Sequence, residues 1–383
     1  MRKILIVIVL TVLVIFGIYF VQHRWNNENI EIGMAEKIDE VKEEPKEDIT
    51  INMTVTGDVL CHNTNFFDAY NASTDSYDFS YTFEDIKKYF DNADIVVGTL
   101  ESNFAGKAAG YSNYPLFNAP EQLATDLKEL GFDVMATANN HCLDKGFSGM
   151  VNTLAELDKA GIEHYGTYAT EEDSEKYLIK DVNGIKIAFL DYNYGTNGIS
   201  LPEGKEWAIS MIDRDKIKTD IDNVKKENVD VVCVNMHWGQ EYRLTPTDEQ
   251  KELADFLFEN GADLILGSHT HCLEPMEKRT VTLSDGTTKD GFIIYSLGNF
   301  MSGQKADNSR QSVILDIQLT KSGNDGKISI GSVTYTPIYM YNYYTSKSAH
   351  RFKIMDIEAE IAKYEAGDTS IGSTMYNTLK KEL

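Results

Sequence analysis

The sequence predicts an α/β domain built on buried strands, preceded by one N-terminal transmembrane helix. Three observations carry this reading. Short apolar runs rich in valine, isoleucine and leucine alternate with stretches of helical period, the pattern of successive strand–helix units. Many of those apolar runs lead into a residue able to bind a metal, namely Asp58, Glu101, Asn140, His237 and the pair His269 and His271. At the N-terminus, Arg2 and Lys3 precede an almost unbroken apolar run from Ile4 to Val21, long enough to span a bilayer as a helix.

The charge before that run, and a flank that turns acidic after His23 and Arg24, orient the N-terminus towards the cytoplasm and the remainder outside. No Ala-x-Ala-like site follows, so the run reads as an uncleaved anchor and not as a signal peptide. Residues 1–24 are therefore a membrane anchor, and residues 25–50, rich in glutamate and aspartate, an acidic linker with too little apolar surface to fold alone. Residues 51–345 form the main domain, and residues 346–383 a polar tail that is helical at its end. The expected location is the cell membrane, single-pass, with the domain extracytoplasmic. The net charge of −24 argues against nucleic acid and against anionic lipid as partners. A polyanionic substrate would have to be met through a metal or a local basic patch.

In chain order, Ile51 to Thr56 alternates like a strand and runs into Gly57-Asp58. A carboxylate at the carboxyl end of a strand is well placed for a site in an open α/β fold, although Asp after Gly is equally a turn residue. Residues 82–91 are predicted helical, with Phe83, Ile86 and Phe90 on one face. Residues 95–100 are a strand ending in Glu101-Ser-Asn103. Residues 120–130 read as a helix stopped by Gly131, and residues 132–136 as a strand leading to Asn139-Asn140-His141. An asparagine oxygen is an acceptable hard ligand, and the adjacent His141 suits general acid work. A helix over residues 146–160 turns Met150, Leu154 and Leu157 inward and stops at Gly161. Asp144, at its mouth, is either a charge partner for the helix N-terminus or a support for His141.

Residues 185–190 form a further strand and residues 213–226 a helix. The run from Val232 ends in His237, and a helix over residues 248–260, capped by Gly261, leads to Gly267-Ser-His-Thr-His271. Two histidines one residue apart fall on the same side of an extended chain, so His237, His269 and His271 read as one set of neutral imidazole ligands. A lone histidine is usually a hydrogen-bonded core or surface residue; three that follow apolar strands ask for another explanation. Residues 282–290 read as a polar loop, and residues 292–295 as a strand delivering Ser296-Leu-Gly-Asn299-Phe300. Residues 312–320 and 328–335 are antiparallel strands. Cys61, Cys142, Cys233 and Cys272 are read first as small buried hydrophobes, with disulfides or an extra thiolate ligand as the alternatives. Trp238 and Tyr242, beside His237, are candidates for lining a substrate cleft.

Asp58, Glu101, Asn140, His237, His269 and His271, in this order, resemble the ligand set of the calcineurin-like metallophosphoesterases. That resemblance implies a two-layered αββα sandwich with a metal pair held by loops at strand ends. It implies that Glu101 bridges, that Asn140, His237 and His269 complete one ion's site, and that Asp58 and His271 hold the other. His141 takes the place of the catalytic histidine that protonates a leaving group, with Asp144 beside it. A narrower resemblance, over residues 52–303, is to the CapA-type poly-γ-glutamate capsule synthesis family. It rests on Gly57-Asp58, Leu100-Glu101-Ser-Asn103, Ala138-Asn-Asn-His141 with Asp144 and Gly146, and His237-Trp-Gly-x-Glu241-Tyr. Gly267-x-His-x-His271 and Tyr295-Ser-Leu-Gly-Asn-Phe300 complete the set.

These motifs place Asn103, Trp238, Glu241 and Asn299 at the substrate cleft. The resemblance implies one or two divalent ions (Mn, Zn or Fe) as cofactor. It implies other membrane components of a capsule synthesis complex, and the anionic polyglutamate polymer, as partners. An extracytoplasmic metal-dependent phosphoesterase and a non-catalytic scaffold that keeps the fold are the alternative functions. The chain departs from the phosphoesterase pattern in three places. Leu60 stands where Asp-x-His is usual, with Cys61 and His62 out of register; Glu101 replaces an Asp; and Asn139 stands where a Gly is usual. The side holding Asp58 and His271 is accordingly expected to be ligand-poor.

Overall fold

The computed structural model of the chain describes residues 11–25, 46–283, 286–306, 308–345 and 348–382. It divides into two compact units, Met1–Glu47 and Asp48–Leu383. In the first, residues 11–25 form an exposed helix, α1. Among the described residues no helix is long and apolar enough to cross a membrane. The start of the expected span, residues 4–10, and most of the acidic linker lie outside the described residues.

The second unit opens with β1 (Ile49–Leu60), α2 (Asn63–Ala69) and a small hairpin of β2 (Tyr70–Asn71) and β3 (Ser76–Tyr77). It continues through β4 (Ile95–Leu100), α3 (Gln122–Leu130), β5 (Val134–Ala136), α4 (Gly146–Ala160), β6 (Glu163–Tyr165) and α5 (Glu171–Ser174). Next come β7 (Leu178–Val182), β8 (Ile185–Asn193), α6 (Arg214–Lys226), β9 (Val231–His237), α7 (Asp248–Asn260) and β10 (Leu264–Ser268). The chain ends with β11 (Met276–Thr282), β12 (Thr288–Ile294), β13 (Asn299–Ser302), β14 (Gln311–Lys321), β15 (Ile328–Thr345), β16 (Ser348–Asp356), α8 (Ile357–Glu365) and α9 (Gly372–Glu382).

Two sheets result. The first has the order β16-β15-β14-β1-β4-β5-β6, with β13 also pairing β1; the second has the order β11-β12-β10-β9-β8-β7. The period of two along each central strand explains how they stack. In β9, Val231 and Cys233 join the apolar cluster shared by both sheets, whereas Val232, Val234 and Met236 pack with Ile217 and Ile221 of α6 and Leu253 and Leu257 of α7. In β4, Ile95 and Val97 face that shared cluster, and Val96 faces Leu123 and Leu127 of α3. The layers are helix, sheet, sheet, helix, so the strands must be apolar on both faces.

Several boundaries agree with local chemistry. α7 begins at a capping box in which Thr247 Oγ1 accepts from the Gln250 N–H at 3.2 Å and Gln250 Oε1 accepts from the Thr247 N–H at 2.8 Å. The segment 82–91 is not an α-helix. It forms two short 3₁₀ turns, Ser80–Phe83 and Lys87–Tyr89, which still bury Phe83, Ile86 and Phe90. Of the expected polar loop 282–290, residue 282 and residues 288–290 belong to paired strands, with Thr282 opposite Thr288, as β-branched threonines favour.

The polar tail from residue 346 is also corrected. β16 pairs antiparallel with β15 and buries Phe352, Ile354 and Met355, while Ile357, Ile361 and Leu379 anchor the two closing helices. Its average polarity conceals this apolar spacing.

Candidate metal centre

Asp58 is aimed by a bulge. The pairing of β1 with β4 and with β13 shifts register beside it, and a bulge re-aims a side chain out of regular alternation. Gly57 permits this, since a Cβ there would stand 1.9 Å from the Gly298 carbonyl oxygen. Glu101 directly follows β4, Asn140 lies on the loop after β5, and His237 ends β9. Beyond β10, His269 and His271 both have positive φ, 94° and 60°. The chain therefore curls where an extended run was expected, a backbone state that collects at functional sites.

Two groups of ligand atoms form, each with its atoms within 4.8 Å of one another: Glu101, His237 and His269, and Asp58, Glu101 and His271. Glu101 belongs to both. Its Oε1 lies 3.6 Å from His237 Nε2, and its Oε2 3.8 Å from His271 Nδ1, which is 4.0 Å from Asp58 Oδ2. Asn140 Oδ1 approaches His237 Nε2 to 2.7 Å. The histidines are thus divided between two groups, as the family resemblance implies, and do not form the one set that spacing alone suggests.

All six residues are buried. Asp58 Oδ1, both Glu101 oxygens and His269 Nδ1 have no hydrogen-bond partner. Buried polar atoms left this way cost free energy unless a positive charge meets them. Carboxylate and amide oxygens beside imidazole nitrogens suit a divalent first-row ion, so the residues fit such a cofactor.

Burial raises the Asp58 carboxyl to about 7, against the lowering effect of the His269 N–H that it accepts. It pushes Glu101 well above the usual range, with the neighbouring Asp58 adding to the rise. Burial and the neighbouring histidines lower His237 well below its ordinary value and His271 to about 3; His269 falls to about 4. The imidazoles are therefore neutral at pH 7, the form that binds metals.

His141 stands outside both groups. Its Nδ1 lies 2.8 Å from Asp144 Oδ2, which also accepts the Phe117 N–H at 2.7 Å. His141, Phe117, Tyr242 and Glu241 line a cleft of about 200 Å³ that reaches His271. His62, out of register in the motif, lines the same cleft beside Leu60, with its Nδ1 held near the Leu60 carbonyl and the Gly303 N–H.

Three expected cleft residues serve other ends. Trp238 is buried in the helix-side core, where its indole N–H donates to the Tyr295 carbonyl at 2.9 Å. It follows His237, so strand alternation turns it the other way. Asn103 donates to the His141 carbonyl at 2.6 Å, and Asn299 Oδ1 lies 3.1 Å from His271 Nδ1; both brace the site from behind. The four cysteines are free and buried, and none belongs to a ligand group.

Three further side chains, to which the motifs assign no role, support the site. Ser268 Oγ lies 2.9 Å from His237 Nδ1. Asn139, replacing the usual Gly, donates to the Leu100 and Thr137 carbonyls and accepts the His141 N–H. Asp191 of β8 accepts the N–H groups of Thr137 and Ala138 at 3.0 and 2.7 Å, and the Asn235 side-chain N–H at 3.0 Å. That carboxylate joins the root of the Asn140 loop to the strand carrying His237. Gly166 leaves room for it, since a Cβ there would lie 2.1 Å from Asp191 Oδ2.

Fold and donor set together define an α/β domain with a candidate metal centre shared between two sheets. The family model for the bacterial capsule synthesis protein PGA_cap matches residues 52–304, and the chain belongs to that family. It is similar to the PGA biosynthesis protein CapA of Bacillus subtilis (strain 168), at 33% identity over 273 residues, covering 67% of this chain and 64% of that protein. The capsule biosynthesis protein CapA of Bacillus anthracis is 27% identical over 303 residues, covering 76% of this chain and 69% of that protein. Among solved structures, the calcineurin-like phosphoesterase YfkN from Bacillus subtilis aligns with a TM-score of 0.47 at 14% identity, over 88% of this chain and 99% of that one.

Proposed function

We propose that the chain is a membrane-anchored, extracytoplasmic component of poly-γ-glutamate capsule biosynthesis or export, with a metal-dependent hydrolytic centre. Family membership supports the capsule role, and the apolar run from Ile4 to Val21 supports the anchor. One observation carries the metal dependence: two buried ligand groups share Glu101, whose oxygens have no other partner.

Glu101, Asn140, His237 and His269, or Asp58, Glu101 and His271, would hold a divalent ion, which would supply Lewis acidity to a substrate oxygen. The chain's own residues do the rest. Asp144 holds the Nδ1 side of His141, which leaves Nε2 to deliver a proton to a leaving group in the cleft. Ser268 orients the His237 ring, and Asn299 that of His271.

Elemental analysis of the purified chain beside Glu101→Ala tests this. Near-stoichiometric Mn, Zn or Fe in the parent and its loss in the variant are expected. No metal in either protein moves the scaffold reading to the front. The His141–Asp144 pair beside the ligand groups also favours a phosphoesterase. Turnover of phosphomono- or diesters with Mn or Zn, abolished by His237→Ala, supports that second reading; no turnover with either metal counts against it.

A further inference from the structure

With 36 lysines and arginines against 60 aspartates and glutamates, most of the surface repels an anionic polymer. One depression runs against that balance. It measures about 400 Å³, and Lys305, Arg310 and Lys381 line it together with Gln311, Tyr339 and Glu382. Among the described lining residues, three cations less one carboxylate leave a net charge of +2. Lys305 and Lys381 are exposed and Arg310 is half-buried. Among the described residues none of the three forms an ion pair, whereas the adjacent Lys380 meets Glu365, and Lys216 and Lys321 each meet an aspartate. A basic last turn that complements the helix dipole accounts for Lys381 alone. It leaves Lys305 and Arg310, which come from the segment between β13 and β14, unexplained.

One chain step separates the depression from the cleft that reaches His271. Gln304 lines the cleft and Lys305 lines the depression, and as chain neighbours their Cα atoms are about 3.8 Å apart. Asn299 fastens the segment. Its side-chain N–H groups donate to Gln304 Oε1 and to the Ser309 carbonyl, each at 3.0 Å, while its Oδ1 faces His271 Nδ1. The three cations also lie beyond residues 52–304, the stretch matched by the family model.

We propose that this depression is an anion subsite. It holds carboxylates of a polyglutamate chain while a neighbouring unit of the same chain occupies the cleft. The inference rests on the capsule-polymer reading above. A polymer bearing one carboxylate on every unit gains from spaced positive charge outside the cleft, and the attraction weakens as salt screens it.

The test is fluorescence anisotropy of a labelled poly-γ-glutamate oligomer with the metal-loaded full chain, at low and high salt. The comparison is the triple variant Lys305→Gln, Arg310→Gln, Lys381→Gln. The expected result is salt-sensitive binding that is about tenfold weaker in the variant, with unchanged metal content. Equal affinity in both proteins overturns the proposal, as does a preference for a polyphosphate oligomer through the same three residues. Failure of the metal reading appears separately, as polymer bound through these cations by a protein that carries no metal.

Discussion

The Nε2 nitrogen of His237 and the Oδ1 oxygen of Asn140 meet at 2.7 Å although they arise from different sheets. His237 ends a strand of the six-stranded sheet, and Asn140 follows a strand of the eight-stranded one. With the His237 proton on Nδ1, towards Ser268, two lone pairs face each other, an arrangement that a cation resolves.

Asn140→Ala removes one of those donors and no apolar packing. We expect the variant to keep its fold and to lose the rise in Tm that Mn or Zn produces in the parent, because an ion stabilises only in proportion to its binding. Thermal unfolding with and without metal checks this. An unchanged metal-induced rise would exclude Asn140 from the centre.

Ser268→Ala leaves the donor set intact but frees the His237 ring. Removing a partner that orients a metal-binding histidine costs about 10–100-fold in affinity. Competitive titration with a chelator reads the change, and a parent-like dissociation constant would show that the hydroxyl does not orient the ring.

Asp191 gives a pH signature. Burial raises its carboxyl to about 7, against the lowering effect of the hydrogen bonds it accepts. Its folded pKa therefore lies above the unfolded value near 4, and the folded state binds the extra proton between those limits. Its contribution to stability is fully present below about pH 4 and is lost as pH rises through about 7, at up to about 1.4 kcal/mol per unit. Asp191→Asn removes this dependence. The stability of the parent minus that of the variant, from urea unfolding with chelator present, should fall from pH 5 to pH 8. Taking the difference cancels Asp58 and Glu101, whose carboxyls are also raised. A constant difference would contradict the assignment.

The legible parts of the fold are those with a local cause. The helix over 248–260 could be read because Thr247 and Gln250 cap it and Gly261 stops it, and the strand before His237 because its apolar run is unbroken. Trp238 is legible through alternation: it follows His237 and so faces the opposite side. The splitting of His269 from His271 is implied by the family resemblance but not by local spacing, since positive φ at two histidines leaves no mark in composition. Asp191 was not legible, lying 54 residues from Thr137, the group it holds. Strand β16 was hidden by polar residues interleaved with its buried ones.

Because the two sheets each donate ligands, the candidate centre is also a rivet between them. Metal occupancy and sheet spacing are then thermodynamically linked. A partner that grips one sheet edge and shifts the spacing alters metal affinity by some factor, and metal alters that partner's affinity by the same factor. Such reciprocity would let loading of the ion report whether that partner is in place.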